Sequence, residues 1–318
     1  MDRDTTGDLL QSLFVLSATV EARDPYTGGH FWRVSQYSRL LGERIGLPPA
    51  ALGVVAVGGF LHDLGKIAVP DAVLGKRGPL TGDERAVVQA HPGIGAGLVA
   101  RHPLGPLVID AVRHHHERID GNGYPDRLRG GEIPSEARIV SIADAFDAIT
   151  STRPYRAAMP VEHALGIIHD ERGRQFDGEL TEAFVEIARS GALDDVVAHS
   201  EPGIPLVACP VCGPVVVVAR RHQAGGTVLC PSCGAEQRLA GDPRQRRAEP
   251  TGRTGTAAER VPRVDHDLLA ELAADIGPLL HAGDGAAGRS RRASRAGLGG
   301  DRVRPVGVLR CGLRARAR

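Results

Sequence analysis

From Thr5 to about Ser190 the apolar positions recur every three or four residues, with polar, glycine and proline breaks between segments and no alternating run. That pattern predicts an all-α domain, a helical bundle. Val34, Tyr37, Leu41 and Ile45 share one helical face, and Thr81 with Glu84 has the form of a capping box for a segment that reaches His91. Pro106 suits the first turn of a helix running through His116, and Ser135 can cap one running to about Ser151. Two further amphipathic segments follow, one with Val161, Ala164, Leu165 and Ile168 on a face, the other with Leu180, Ala183, Phe184 and Ile187.

The pattern changes after Asp195. The stretch LVACPVCGPVVVVARRHQAGGTVLCPSCG sets β-branched runs between two cysteine pairs and predicts a small β module. Beyond Gly241 proline, glycine, arginine and alanine follow without periodicity, apart from a segment near 265–277 in which Leu268, Leu269, Leu272 and Ile276 share a face. The expected organisation is a helical domain over 5–190, a linker over 191–204, the cysteine module over 205–240 and an arginine-rich, mostly disordered tail over 241–318 with a short amphipathic helix near 265–277.

Composition narrows the function classes. Aromatic residues make up only 3% of the 318, which disfavours an RNA-binding sheet or a single-strand channel built on stacked rings. The longest apolar run, Val54 to Leu61, falls short of the roughly 18 residues of a membrane span, so no membrane association is expected. The start, MDRDTTGD, is acidic where a secretory signal is basic, so a cytoplasmic protein is expected, with cysteines that are reduced or hold metal. Net charge is +1, yet residues 241–318 hold 16 of the 39 basic and 9 of the 38 acidic side chains. Only Lys66 and Lys76 are lysine, which singles out both positions in an arginine-biased chain.

Two segments carry candidate chemistry. HDLGK at His62 to Lys66 follows the apolar run without a polar break, placing an imidazole and a carboxylate at the edge of a core, where an unpaired charge is costly and a metal ion removes the cost. In the segment ending HHHE, the register of Val108, Ala111 and Val112 continues to His115 and His116, while His114 falls off that stripe. Asp144 interrupts the apolar face of IVSIADAFDA four residues after Val140. Mixed imidazole and carboxylate donors suit Fe, Mn or Zn, and two ions sharing a carboxylate are a recurrent device for phosphoester hydrolysis.

The sequence resembles the HD-GYP family, a branch of the HD phosphohydrolases, over roughly residues 10–190, through DPYTGGHFWRV at Asp24 to Val34, LHDLGKIAVPDAVL at Leu61 to Leu74, His91, HHHERIDGNGYP at His114 to Pro125 and ADAFDAITSTRPYR at Ala143 to Arg156. The resemblance implies that His30, His62, Asp63 and Asp144 are the metal ligands of the wider superfamily and that His91, His115 and His116 hold a second ion, with Asp63 bridging. It implies Lys66 near the scissile phosphate, and Arg153 and Arg156 on the phosphates of the nucleotide. Glu117, Asp120 and Asp147 are read as supporting residues. The implied activity is hydrolysis of cyclic di-GMP to linear pGpG or to GMP by a metal-bridging hydroxide. Fe or Mn are the implied ions, two rather than three because Tyr26 stands where three-metal members have glutamate. Diguanylate cyclase domains are implied partners through the Gly121 to Pro125 loop. The alternatives are a nucleotide sensor or cyclase-docking module with little turnover, and an HD phosphohydrolase for another nucleotide.

The knuckles CPVCG and CPSCG place Cys209, Cys212, Cys230 and Cys233 in the pattern of a zinc ribbon, whose four thiolates close a structural site around one zinc. The module is expected to pack on the enzyme or to mediate homodimer contacts. Specific nucleic-acid binding is not expected, and deletion of 205–318 is expected to leave an active domain.

Overall fold

In the computed structural model, residues 2–23, 28–76, 78–152, 158–213, 215–216, 218–219, 221–242, 246–261 and 264–282 are described. Local signals start many of its helices. The Asp2 carboxylate accepts the Thr5 amide at the head of α1 (Arg3–Glu21). After α2 (His30–Arg44), α3 (Pro49–Leu61) and the single turn α4 (Asp71–Leu74), the Thr81–Glu84 capping box opens α5 (Gly82–Gln89). There follow α6 (His91–Val99), α7 (Gly105–His114), α8 (Ser135–Thr150), α9 (Val161–Asp170) and α10 (Gly178–Arg189), the last capped by Asp177, which accepts the Glu179 and Leu180 amides. Two boundaries differ from expectation: Ser135 is the first residue of α8 rather than its cap, and α7 ends at His114 with His115 and His116 in the turn beyond it.

The most apolar helix, α3, lies at the centre against α2, α7 and α8. Pro49–Ala68 is apolar enough to cross a membrane by composition, with mean hydropathy 1.4, but 67% of that window is buried inside the fold, as a core helix requires. Tyr37 and Phe184 both meet the edge or face of Phe146, with ring centroids 5.2 and 5.0 Å away, and pin α2 and α10 to α8.

The cysteine module is β as expected. β1 (His199–Glu201) pairs antiparallel with β2 (Ile204–Pro205), and β3 (Val207–Ala208) with β4 (Val215–Val216). β5 (Thr227–Leu229), β6 (Ala235–Ala240) and β7 (Arg247–Thr254) form a three-stranded antiparallel sheet in that order. Its core gathers Val207, Cys209, Val216, Val218, Val228, Cys230 and Leu239.

Two expectations about organisation are corrected. Residues 191–204 do not tether: Leu193 and Val196 are buried in the helical core and Ile204 in the module's core. Residues 247–254 add a strand, and α11 (His266–His281) packs its Leu269, Leu272, Ala273 and Ile276 into the helical core against α1 and α3. Apolar burial offsets the weak helix propensity of a lone amphipathic segment. Residues 1–282 thus form one compact unit, and 283–318 lie outside the described residues.

Candidate metal centre

The end of α3 delivers His62 and Asp63 to the middle of the bundle. There the helix tightens into a 3-10 turn, Leu64–Ala68, against which α6 lies backbone to backbone. A Cβ on Gly65 would overlap the His91 carbonyl oxygen, so only glycine lets α6 approach closely enough to set His91 beside Asp63. His30 opens α2, His115 and His116 follow α7, and Asp144 projects from the middle of α8. His30, His62, Asp63, His91 and His115 are all buried, and Asp144 is 17% exposed.

These seven side chains form two sets that meet at Asp63. His30, His62 and Asp144 bring one ligand atom each within 4.8 Å of one another, as do Asp63, His91, His115 and His116. Asp63 Oδ2 lies 3.5 Å from His30 Nε2 and 3.3 Å from His62 Nε2, while its Oδ1 lies 3.1 Å from His91 Nε2. Each oxygen of the carboxylate therefore faces a different set.

The hydrogen bonds on the far side of each ring fix what these nitrogens can do. Nδ1 of His62, His91 and His115 lies 2.7, 2.7 and 2.9 Å from the carbonyls of Gly59, Val88 and Val112, and His30 Nδ1 lies 2.7 Å from Asp147 Oδ2. A carbonyl or carboxylate only accepts, so Nδ1 carries the proton, and each Nε2 of a neutral ring presents a lone pair. Yet His30 and His62 approach to 3.3 Å through their Nε2 atoms, and His91 and His115 to 3.2 Å. Lone pairs that close repel unless a metal ion or a proton lies between them, and the buried Asp63 Oδ1 has no hydrogen-bond partner. This donor set fits divalent first-row ions.

Electrostatics point the same way. Burial and the neighbouring imidazoles hold His115 well below the usual histidine range, and burial lowers His116 to about 3, so both rings are neutral at pH 7. Burial would lower His62 too, but Asp63 and Asp144 outweigh it and raise it to about 10: without metal, a proton neutralises part of this carboxylate pair. Burial opposes the ionisation of Asp63 and Asp144, but the Lys66 ammonium and His62 on the first, and His62 and His30 on the second, hold both well below the carboxylate range. Lys66 Nζ lies 2.5 Å from Asp63 Oδ2 and is only 23% exposed, so this lysine belongs to the centre. A cavity of about 280 Å³ opens at the rim, bordered by His116, Tyr124, Asp144, Gln89, Arg118 and Gln175.

The HD domain family matches residues 15–180 of this sequence. The chain belongs to the HD domain family. All seven clustered residues and Lys66 fall inside the HD domain; the four cysteines lie beyond it. This chain is 41% identical over 177 residues to the cyclic di-GMP phosphodiesterase response regulator RpfG of Xanthomonas campestris, an alignment covering 55% of this chain and 47% of that protein. It is 38% identical over 199 residues to a cyclic di-GMP phosphodiesterase of Vibrio cholerae, covering 58% and 40%. A 3'3'-cGAMP-specific phosphodiesterase 2 of the same organism is 36% identical over 186 residues, covering 58% and 35%. The chain spans less than half the length of each of these relatives.

Around the clustered side chains the residues read as supporting have different tasks. Asp147 orients His30. Glu117 accepts the amides of Asp126 and Leu128 and so folds the Gly121 to Pro125 loop back onto the end of α7. Asp120 accepts the Asn122 amide inside that loop. His114, off the stripe as expected, faces Asp126 instead of the centre. Arg153, Arg156 and Tyr26 lie outside the described residues. The sequence reading missed Arg33, fully buried in a bidentate pair with Asp147. An arginine between Trp32 and Val34 in a stretch that is otherwise buried is the signal that could have found it.

Outside the HD domain the four cysteine sulfurs also lie within 4.8 Å of one another, with Cys209 to Cys233 at 3.8 Å and Cys212 to Cys230 at 3.5 Å. Four sulfurs at about 2.3 Å from one zinc stand about 3.8 Å apart, so the spacing fits tetrahedral thiolate coordination. The amides of Gly213 and Gly234 close both knuckles onto the carbonyls of Cys209 and Cys230.

Proposed function

We propose that this protein is a metal-dependent phosphodiesterase that hydrolyses cyclic di-GMP to linear pGpG or GMP, acting in the cytoplasm. The observation that carries this reading is Asp63, whose two oxygens face two separate sets of imidazole lone pairs. His30, His62 and Asp144 would hold one divalent ion, His91, His115 and His116 a second, with Asp63 shared; Fe and Mn suit these donors. When bound, the pair of ions supplies an activated water and neutralises charge on the phosphoryl oxygens.

The chain's own groups account for the remainder. Carbonyls behind His62, His91 and His115 keep those rings in one tautomer, so no reorganisation is needed during turnover. Lys66 sets a compact positive charge beside Asp63, where a phosphate bound at the centre would meet it. Arg153 and Arg156 are proposed as further phosphate contacts. The four cysteines are proposed to hold one structural zinc, with no open position for substrate. Diguanylate cyclase domains are proposed to dock on the Gly121 to Pro125 loop.

The names of the relatives divide between cyclic di-GMP and 3'3'-cGAMP, so both nucleotides belong in the test. The protein, loaded with Mn or Fe under anaerobic, reducing conditions, is incubated with each and the products separated by chromatography. Faster release of pGpG or GMP from cyclic di-GMP is expected. Tight nucleotide binding without turnover under any metal would sink the enzymatic reading in favour of a sensor.

A further inference from the structure

The cysteine module is joined to one metal-site histidine by an unbroken series of buried contacts. In β1 the Ser200 hydroxyl lies 3.1 Å from the Val218 carbonyl and 3.3 Å from that of Ile204, tying the strand into the module. One residue earlier the His199 carbonyl accepts a 2.7 Å hydrogen bond from Arg33 Nη1, which also donates to the Gly28 carbonyl at 2.8 Å. The rest of the same guanidinium grips Asp147, Nε to Oδ1 at 2.5 Å and Nη2 to Oδ2 at 3.0 Å. Asp147 Oδ2 in turn fixes His30 Nδ1. Backbone packing reinforces the link: a Cβ on Gly29, which has φ 75°, would lie 2.5 Å from the Ser200 backbone. Arg33, Asp147 and His30 are each 1% exposed and Ser200 5%.

This dependence is particular to His30. His62, His91 and His115 rest Nδ1 on carbonyls three residues back, at the end of the helix that precedes each ring, so local chain folding suffices to orient them. His30 alone of these four is oriented by a side-chain network that reaches residues beyond 190. Without the His199 carbonyl a buried guanidinium N–H would be unpaired, and Arg33 would have to move to satisfy it, carrying Asp147 with it.

We propose that the segment from His199 into the cysteine module braces the metal centre, with Arg33 as the positioning residue, so that an ordered module is required for full affinity at the His30–His62–Asp144 site. The inference rests on the two-metal reading above. The activity then carries a built-in dependence on the state of four cysteines that hold no substrate.

The test is a titration with Mn(II) of the full chain stripped of metal and then given one equivalent of zinc for the cysteines, resolving the number of ions in the histidine centre and the affinity of each. Wild type is expected to bind two. Cys209→Ser combined with Cys230→Ser, with helical content verified by circular dichroism, should weaken one ion by about tenfold, the usual scale for losing the support behind a ligand, and leave the other unchanged. Gly29→Ala, which pushes the two backbones apart without altering a cysteine, should weaken the same ion, and it decides the matter if the cysteine variant does not fold. Unchanged affinity for both ions in Gly29→Ala, or equal weakening of both, would overturn the brace. A wild-type chain that binds no ion would instead overturn the two-metal reading itself.

Discussion

In the proposed two-metal centre Asp63 would serve both ions with one side chain, and Lys66 sits against it outside the proposed ligand set. Asp63→Ala is therefore expected to abolish hydrolysis and to empty the centre by elemental analysis, whereas Lys66→Ala should keep the metal and lower turnover by about 10²-fold or more. Retention of wild-type turnover in Asp63→Ala would contradict the two-metal mechanism. His62 gives a pH signature. In the metal-free protein its pKa is raised to about 10, so its proton stabilises the fold fully below its unfolded value of about 6.5 and is lost as stabilisation through pH 10. A metal must displace that proton. Affinity should therefore climb as pH rises from 6 to 9, by up to about tenfold per pH unit, in titrations at constant ionic strength; a flat profile would show that His62 is already neutral. At this scale the clustered side chains were legible because polar residues interrupt apolar stripes, as Asp144 does after Val140. Arg33 was not, because its meaning lies in partners 114 and 166 positions away.

Helices meet at this centre through close backbone contacts, so element geometry is as demanding as ligand identity. Gly65→Ala should force α6 away from the turn after α3 and cost about 1–3 kcal/mol in denaturant unfolding, with weaker binding of the ion near His91. Phe146→Ala, which removes the ring shared by Tyr37 and Phe184, should cost about 3–5 kcal/mol without changing a ligand. Helix faces and the Thr81 cap could be read from spacing. The end of α7 could not, since the stripe of Val108, Ala111 and Val112 continues through His115 whether or not the backbone does. Nor could β7: its sequence RAEPTGRT lacks alternation because it is an edge strand with few buried positions, held mainly by backbone bonds to β6.

For the whole molecule, the expectation that residues 205–318 could be removed freely gives way to a fold whose helical core is completed by α11. Truncation after residue 240 should lower the melting temperature sharply or yield aggregated protein, and Ile276→Ala in the full chain should cost about 2–5 kcal/mol by urea unfolding. A truncated chain as stable as the full one would show that α11 is dispensable. Fold class and the order of the modules were visible in composition and periodicity. That the last amphipathic segment belongs to the first module was not, because one apolar face does not name its partner. Its partner includes α1: Thr6 Oγ1 meets His281 Nε2 at 2.7 Å, across 275 positions of sequence. Synthesis proceeds from the N-terminus at about 5–20 residues per second. α1 must therefore wait on the order of ten seconds or more for α11, which packs against it, with Leu10, Leu13 and Phe14 incompletely sheltered in the interval. The residues of the proposed metal centre all precede α11 in the chain, so they are synthesised while the hydrophobic seam that α11 covers is still open to chaperones and to other chains.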